Sequence, residues 1–81
     1  MRVYNSEIND TQISAAKRVM EGSHFRLRDV AQALVDRGVS SDGVSAGSVA
    51  GRAADRLLQT ARRSGDIEHV KAGVWRAVQN K

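Results

Sequence analysis

The last third of the chain carries the pattern that most restricts how it can fold. Apolar residues recur at intervals of three and four across residues 45–64, which predicts a long amphipathic helix. A serine–glycine pair ends this pattern. Two short β-like runs follow, residues 67–70 and residues 74–78, with a glycine-containing tripeptide between them. We therefore expect a long helix followed at once by a β-hairpin.

The predicted long helix is rich in arginine on the side away from its apolar stripe. Either Ser45 or Ser48 is expected to cap its N-terminus, because a serine oxygen accepts a hydrogen bond from the first free amides of a helix. Within residues 45–64, four arginines accompany a single aspartate, a local net charge of +3. The polar residues that share the outer face are Arg52, Arg56, Gln59 and Arg63.

Two further helices are predicted upstream of the long one. The first starts near Asn9 or Asp10, either of which can cap it, and the second runs from about Arg28 to Gly38. Residues 24–27 are expected to form a small strand or a bridge into the second helix. Residues 2–4 are expected to form a short strand or a frayed end. We expect all of these elements to belong to a single domain that covers residues 1–81.

The composition predicts a core of small side chains. Only three residues are aromatic, Tyr4, Phe25 and Trp75, and alanine and valine supply most of the other apolar residues. Small side chains favour close helix packing over a deep ligand cavity, so we expect neither an enzyme nor a small-molecule substrate. Trp75 is interpreted as a core anchor in preference to a base-stacking platform, because so few large residues are present.

The chain lacks the residues that disulfides, zinc sites and common catalytic sites require. The chain has no cysteine and only two histidines, His24 and His69, so we expect no disulfide and no zinc site. Neither a nucleophile elbow nor a phosphate-binding loop occurs, so no catalytic residue and no cofactor are predicted. No apolar stretch has the roughly 20 residues needed to cross a bilayer. No secretion signal is recognised either, so the expectation is a cytoplasmic protein without a membrane partner.

The charge balance favours an anionic partner. Thirteen lysines and arginines exceed nine acidic residues, giving a formal net charge of +4, and ten of the thirteen cations are arginine. The planar guanidinium pairs with phosphate or with a guanine edge, whereas lysine acts as a point charge. The alternative interpretation of this composition is an ordinary solvated surface.

The order of predicted elements resembles the winged helix-turn-helix family over about residues 9–79. The resemblance is carried by FRLRDVAQAL at residues 25–34, SAGSVAGRAADRLLQTARRSGDI at residues 45–67 and EHVKAGVWRAV at residues 68–78. It implies a mainly α-helical fold with a small β-hairpin, that is, a three-helix winged helix-turn-helix.

The same resemblance implies binding to double-stranded DNA, as in a small transcriptional regulator of the phage or mobile-element type. The third helix would lie in the major groove and the hairpin wing on the flanking backbone. One small module buries little surface, so a homodimer or adjacent copies are expected. The implied contacts are Ser45, Ser48 and Arg52 with base edges, Arg56, Gln59 and Arg63 along the helix, Lys71 and Arg76 on the wing, and Arg26 and Arg28 with phosphates.

Two other interpretations remain open. The first is a winged-helix protein–protein interaction module that binds an acidic partner through the basic face or another helix through the alanine-rich surface. The long turn at residues 38–44 and the glycines at positions 47 and 51 motivate it, because they indicate an altered recognition surface. The second is RNA binding, which rests on the same charge argument.

Overall fold

The computed structural model describes residues 1–39 and 42–78, which form three helices and five short strands. Ser40, Ser41 and residues 79–81 lie outside the described part, and with them part of the predicted turn and the end of the span that resembles the winged-helix family. In chain order the elements are β1 (Arg2–Val3), β2 (Ser6–Glu7), α1 (Asp10–Met20), β3 (Ser23–Phe25), α2 (Leu27–Asp36), α3 (Val49–Arg63), β4 (Ile67–Lys71) and β5 (Val74–Ala77).

The prediction of a mainly α-helical, three-helix winged helix-turn-helix fold with one small hairpin is wrong. The described residues are 47% helical and 21% strand, and the strands form two antiparallel sheets. One sheet is the pair β1–β2, and the other has the order β3-β5-β4. Strands of two or three residues are too short to show an alternating pattern, and β3 finds its partner β5 at the far end of the chain. The sequence predicts β4 and β5 and allows short strands at residues 2–4 and 24–27, but it predicts neither β2 nor the pairing of β3 with β5.

Helix starts are set by side chains that bind free amides. Asn9 caps α1: its Oδ1 accepts from the Gln12 amide at 2.9 Å, while the Asn9 amide donates to Gln12 Oε1 at 3.0 Å. Of the two serines predicted to cap α3, the cap is Ser48, so the helix begins at Val49. The Ser48 hydroxyl accepts from the Gly51 amide at 2.9 Å. Residue 45 consequently lies in the preceding loop and not in the helix.

The hydrophobic core lies where α2 packs against α1 and α3, with the sheet closing one end. Small residues dominate the helix contacts: Ala31, Ala50 and Ala53 have no exposed surface. Phe25 and Trp75 are also buried, which confirms the interpretation of Trp75 as a core anchor. The small helix-facing side chains allow the close packing that the composition predicts.

Gly51 is required where the loop before α3 crosses the helix. A Cβ built at this position would lie 1.8 Å from the Ser45 carbonyl oxygen, closer than any side chain tolerates. The backbone of residue 45 therefore rests directly on the first turn of α3. Glycine is the residue that allows two backbone segments to approach this closely, because it has no Cβ.

The N-terminal residues form an ordered hairpin and do not fray. β1 pairs with β2, with Val3 opposite Ser6, and both Val3 and Ile8 are buried in the core. The Met1 ammonium donates to Glu7 Oε2 at 3.0 Å. This bond and the positive charge of the ammonium hold the pKa of the Glu7 carboxyl below its usual value of 4.5. The open end of the hairpin is thus held together by the bond from Met1 to Glu7.

None of the described helices is both long and apolar enough to span a membrane.

Candidate nucleic-acid interface

The outward face of α3 brings together four of the residues predicted to contact DNA. Three arginines, Arg52, Arg56 and Arg63, are exposed, and Gln59 between them is half-buried. They line one shallow depression, and the helical repeat explains this because residues three and four apart lie on the same side of a helix. The residues lining the depression are Arg52, Asp55, Arg56, Gln59, Thr60 and Arg63.

The arginines of this face form no ion pair within the described residues, although the Asp55 carboxylate lies among them. The ion pairs of the described residues join Glu7 to Met1 and to Arg2, and Arg76 to Glu68. Three guanidinium groups beside one carboxylate leave the face positive, and guanidinium groups attract phosphate through charge and through paired N–H donors. The face is therefore suited to a polyanion.

The N-terminal hairpin borders this face and holds two of its arginines. Arg56 Nη1 donates to the Arg2 carbonyl oxygen at 2.8 Å. The Arg52 guanidinium carbon lies 6.0 Å from the centroid of the Tyr4 ring, a cation–π distance. Both arginines remain exposed, and neither contact pairs a guanidinium with a carboxylate, so the positive charge of the two side chains is kept.

Tyr4 itself is absent from the contacts that the sequence predicts. Its side chain is 60% exposed, and its hydroxyl donates to the Gly47 carbonyl oxygen at 3.3 Å. Position 4 lies in the turn between β1 and β2, and no periodicity of the sequence shows that this turn packs beside α3. In the sequence, this residue stands out only because the chain has few aromatic residues and because an asparagine, a common turn residue, follows it.

The two serines expected at base edges have different positions. Ser48 is only 3% exposed, and its hydroxyl donates to the Ser45 carbonyl oxygen at 2.8 Å in addition to capping the helix. Both functions are structural and leave the hydroxyl without access to a groove. Ser45 is exposed in the loop before α3.

The N-terminus of α3 is occupied by the protein's own groups. Asp42 Oδ2 accepts from the Val49 amide at 3.1 Å, while Ser48 takes the Gly51 amide. A helix N-terminus ordinarily attracts phosphate through free amides and the helix dipole. Here a carboxylate already occupies that position, so an anionic ligand is expected to meet the side of α3 and not its end.

A second basic region lies where α2 begins. Arg26 and Arg28 border a cleft that also includes Ser45 and the wing residue Gly73. The tip of the β4–β5 hairpin therefore reaches the loop before α3. The next residues of that loop contact Tyr4 through Gly47. The loop thus joins the second basic region to the α3 face.

The two predicted wing contacts are placed differently. Arg76 is engaged within the hairpin, where its Nε donates to Glu68 Oε2 at 2.6 Å. Lys71 is exposed at the end of β4 and belongs to none of the ion pairs of the described residues. Lys71 is consequently the better placed of the two for an anion.

The β4–β5 hairpin has one aromatic contact within it and one with the end of α3. The His69 ring stacks on the Trp75 ring with 3.6 Å between their centroids. The guanidinium carbon of Arg62 lies 5.8 Å from the Trp75 centroid. Arg62 therefore serves the packing of the wing and is separate from the arginines that line the α3 face.

Comparison of the chain with family models, with curated proteins and with solved structures finds no match.

Proposed function

We propose that this protein binds double-stranded DNA with the outward face of α3 against the major groove. The observation that carries the proposal is the row of exposed arginines, Arg52, Arg56 and Arg63, free of ion pairs within the described residues. At about 1.5 Å per residue, this row extends roughly 16 Å along the helix axis. The major groove, about 12 Å wide, admits a helix with such a face.

The residues of the face have distinct expected functions. Arg52 lies nearest the start of the helix and is assigned to a guanine edge, which a guanidinium binds through two parallel hydrogen bonds. Arg56 and Arg63 are assigned to phosphates, with Gln59 between them. Asp55 supplies an acceptor on the same face, and a carboxylate can accept from the amino group of cytosine.

The second basic region supports the same function. Arg26 and Arg28 at the start of α2, together with the wing residue Lys71, add cations on the far side of the loop before α3. Contacts of this kind fix the orientation of a protein on the duplex and carry no sequence information. We assign these three residues to the flanking phosphates.

The test is a titration of labelled random-sequence duplex by fluorescence anisotropy at roughly 50 and 200 mM salt. The variant Arg52→Ala/Arg56→Ala should bind about tenfold or more weakly than the parent protein, since a good contact contributes about 1–3 kcal/mol. The control Arg18→Ala/Arg37→Ala removes the same charge from positions outside the face and should bind within about threefold of the parent. Equal losses in the two variants would contradict a specific role of α3.

A module that binds an acidic protein is the second candidate. The observation in its favour is the exposed arginine row itself, because guanidinium groups pair with the carboxylates of an acidic protein as well as with phosphate. An acidic peptide needs only the arginine side chains. No binding to duplex at the lower salt, together with binding to polyglutamate, would favour this candidate. Preference for structured RNA over duplex would instead indicate RNA binding.

The biological setting is proposed on the same basis. We propose, together with DNA binding, a role as a small transcriptional regulator of the phage or mobile-element type, a cytoplasmic location and a homodimer on adjacent half-sites. Kinship with the winged helix-turn-helix family is likewise a proposal.

A further inference from the structure

Tyr4 is an exposed aromatic residue in a chain that buries its other two. Its side chain is 60% exposed, whereas Phe25 and Trp75 are 3% and 8% exposed. The ring lies at the turn of the β1–β2 hairpin, beside the arginines of the α3 face. The aromatic ring therefore adds an apolar surface to the edge of a cationic one and takes no part in the core.

The backbone at Tyr4 is also strained. Its φ of 53° lies in the left-handed region, where glycine is relaxed and a bulky residue is rare. A glycine at this turn would form the hairpin more easily. Strain at an exposed residue that the fold does not need for its core is typical of functional positions.

The ring is held by two contacts and still has most of its surface exposed. Its hydroxyl bonds to the Gly47 carbonyl, and Arg52 lies over the ring. The hydrogen bond from Arg56 to the Arg2 carbonyl fastens the same hairpin to α3. The hairpin and the helix therefore present one composite surface.

We propose that the β1–β2 hairpin is a second DNA-contacting element, in which the Tyr4 ring packs against a deoxyribose of the strand that borders the α3 groove. This inference rests on the proposed function. A helix in the major groove has a sugar–phosphate strand on each side, and the hairpin projects beside α3 where one such strand would pass. The apolar face of the ring suits a sugar. The exposed Arg2 side chain belongs to β1, the protein strand that leads into this turn.

A sugar contact predicts a loss of affinity that does not depend on DNA sequence. Tyr4→Gly removes the ring while relaxing the backbone, so the protein should be at least as resistant to thermal unfolding as the parent. Its affinity should nevertheless fall on the order of fivefold, by a similar factor on unrelated duplexes. Tyr4→Phe keeps the ring and should bind within about twofold of the parent. Asn5→Gly is the matched control, because it adds a glycine to the same turn and keeps the ring.

A second readout is independent of affinity. The chain contains one tyrosine, so incorporation of meta-fluorotyrosine gives a single fluorine NMR signal that reports on position 4. Duplex DNA should shift and broaden this signal in the intact protein. The same titration of the Arg52→Ala/Arg56→Ala variant, at concentrations where it is largely unbound, should leave the signal unchanged.

The outcomes separate the inference from the function on which it rests. Duplex binding with an unmoved fluorine signal, or with unchanged affinity of Tyr4→Gly, would overturn the hairpin contact and leave DNA binding in place. Absence of duplex binding at low salt would overturn both. A loss confined to one duplex sequence would show that Tyr4 reads a base, which also contradicts packing on a sugar.

Discussion

Gly47 and Gly51 are four positions apart and make different contributions to the fold. A Cβ at Gly51 would collide with the Ser45 carbonyl, whereas a Cβ at Gly47 would meet nothing within 4 Å. The sequence alone gives both glycines the same interpretation, an altered recognition surface. The difference comes from the path of the loop before α3, which crosses the helix at Gly51 and leaves Gly47 open.

Substitution of these two glycines tests this account at the level of single residues. Gly51→Ala should lower the free energy of unfolding by about 2 kcal/mol or more, because the loop must move to admit the methyl group. Glycine-to-alanine changes inside a helix ordinarily stabilise it by about 1 kcal/mol, so the sign distinguishes the two cases. Gly47→Ala, the control, should change stability by less than about 0.5 kcal/mol. Urea unfolding provides the measurement, and equal effects at both positions would contradict the crossing.

Ser48 is a single residue whose type favours two different functions, capping a helix and contacting a base. Its place before the arginine-rich helix favours a base contact, yet the hydroxyl is consumed between the Gly51 amide and the Ser45 carbonyl. Capping and binding both use serine, and burial decides between them. The arginines are less ambiguous, because their length and charge keep them at the surface of a small helix.

At the level of elements, the two hairpins attach to α3 by different means. The β1–β2 hairpin lies beside the helix through Tyr4, Arg2 and two buried aliphatic residues. The β4–β5 hairpin is attached at the helix C-terminus, where Trp75 meets Arg62 and His69. A surface arginine therefore holds the wing against the helix.

Arg62 and Arg63 provide a matched pair for this contact. Arg62→Ala should destabilise the protein by about 0.5–1 kcal/mol, the usual contribution of a cation over an aromatic ring. Arg63→Ala removes the neighbouring cation, which has no aromatic contact of this kind in the described residues, and should leave stability nearly unchanged. Thermal unfolding followed through Trp75 fluorescence compares them. A larger effect of Arg63→Ala would show that helix-end charge, and not the ring contact, stabilises this junction.

The sequence predicts the three helices better than it predicts the five strands. The structure has helices at the three places where apolar periodicity predicts them, and each begins within a few residues of the expected position. The runs at residues 67–70 and 74–78 also correspond to β4 and β5. The strands β1, β2 and β3 have two or three residues each, so their existence depends on a partner and not on a pattern.

At the level of the whole molecule, one core joins segments from every part of the chain. Val3 comes from the first strand, Leu34 from α2, Leu58 from α3 and Trp75 from the last strand, and all belong to a single cluster. No helix or hairpin has a separate core. We therefore expect the molecule to unfold as one unit, as most domains below about 150 residues do.

Cooperative unfolding can be checked by comparing the unfolding curves from two spectroscopic probes. Far-ultraviolet circular dichroism reports mainly on the helices, and Trp75, the only tryptophan, reports on the packing of the wing. The two signals should give the same urea midpoint and the same dependence on urea concentration. A wing transition that precedes the loss of helix would show that the β3-β5-β4 sheet is separable from the helical part.

Part of the candidate site, like part of the fold, can be predicted from the sequence alone. The helical repeat alone places Arg52, Arg56, Gln59 and Arg63 on one side of α3, because residues on one helix keep their relative positions in any fold. Their arrangement needs no tertiary information, and neither does the excess of positive charge.

What surrounds that face was decided only by tertiary structure. The approach of Tyr4 to Arg52, the bond from Arg56 to the Arg2 carbonyl and the pairing of β3 with β5 all join residues far apart in the chain. Such contacts depend on how the elements pack, which no local period encodes. The sequence thus determined which residues share a helix face. Packing determined which other segments lie against that face, since burying Val3 and Ile8 in the common core brings the N-terminal hairpin beside α3.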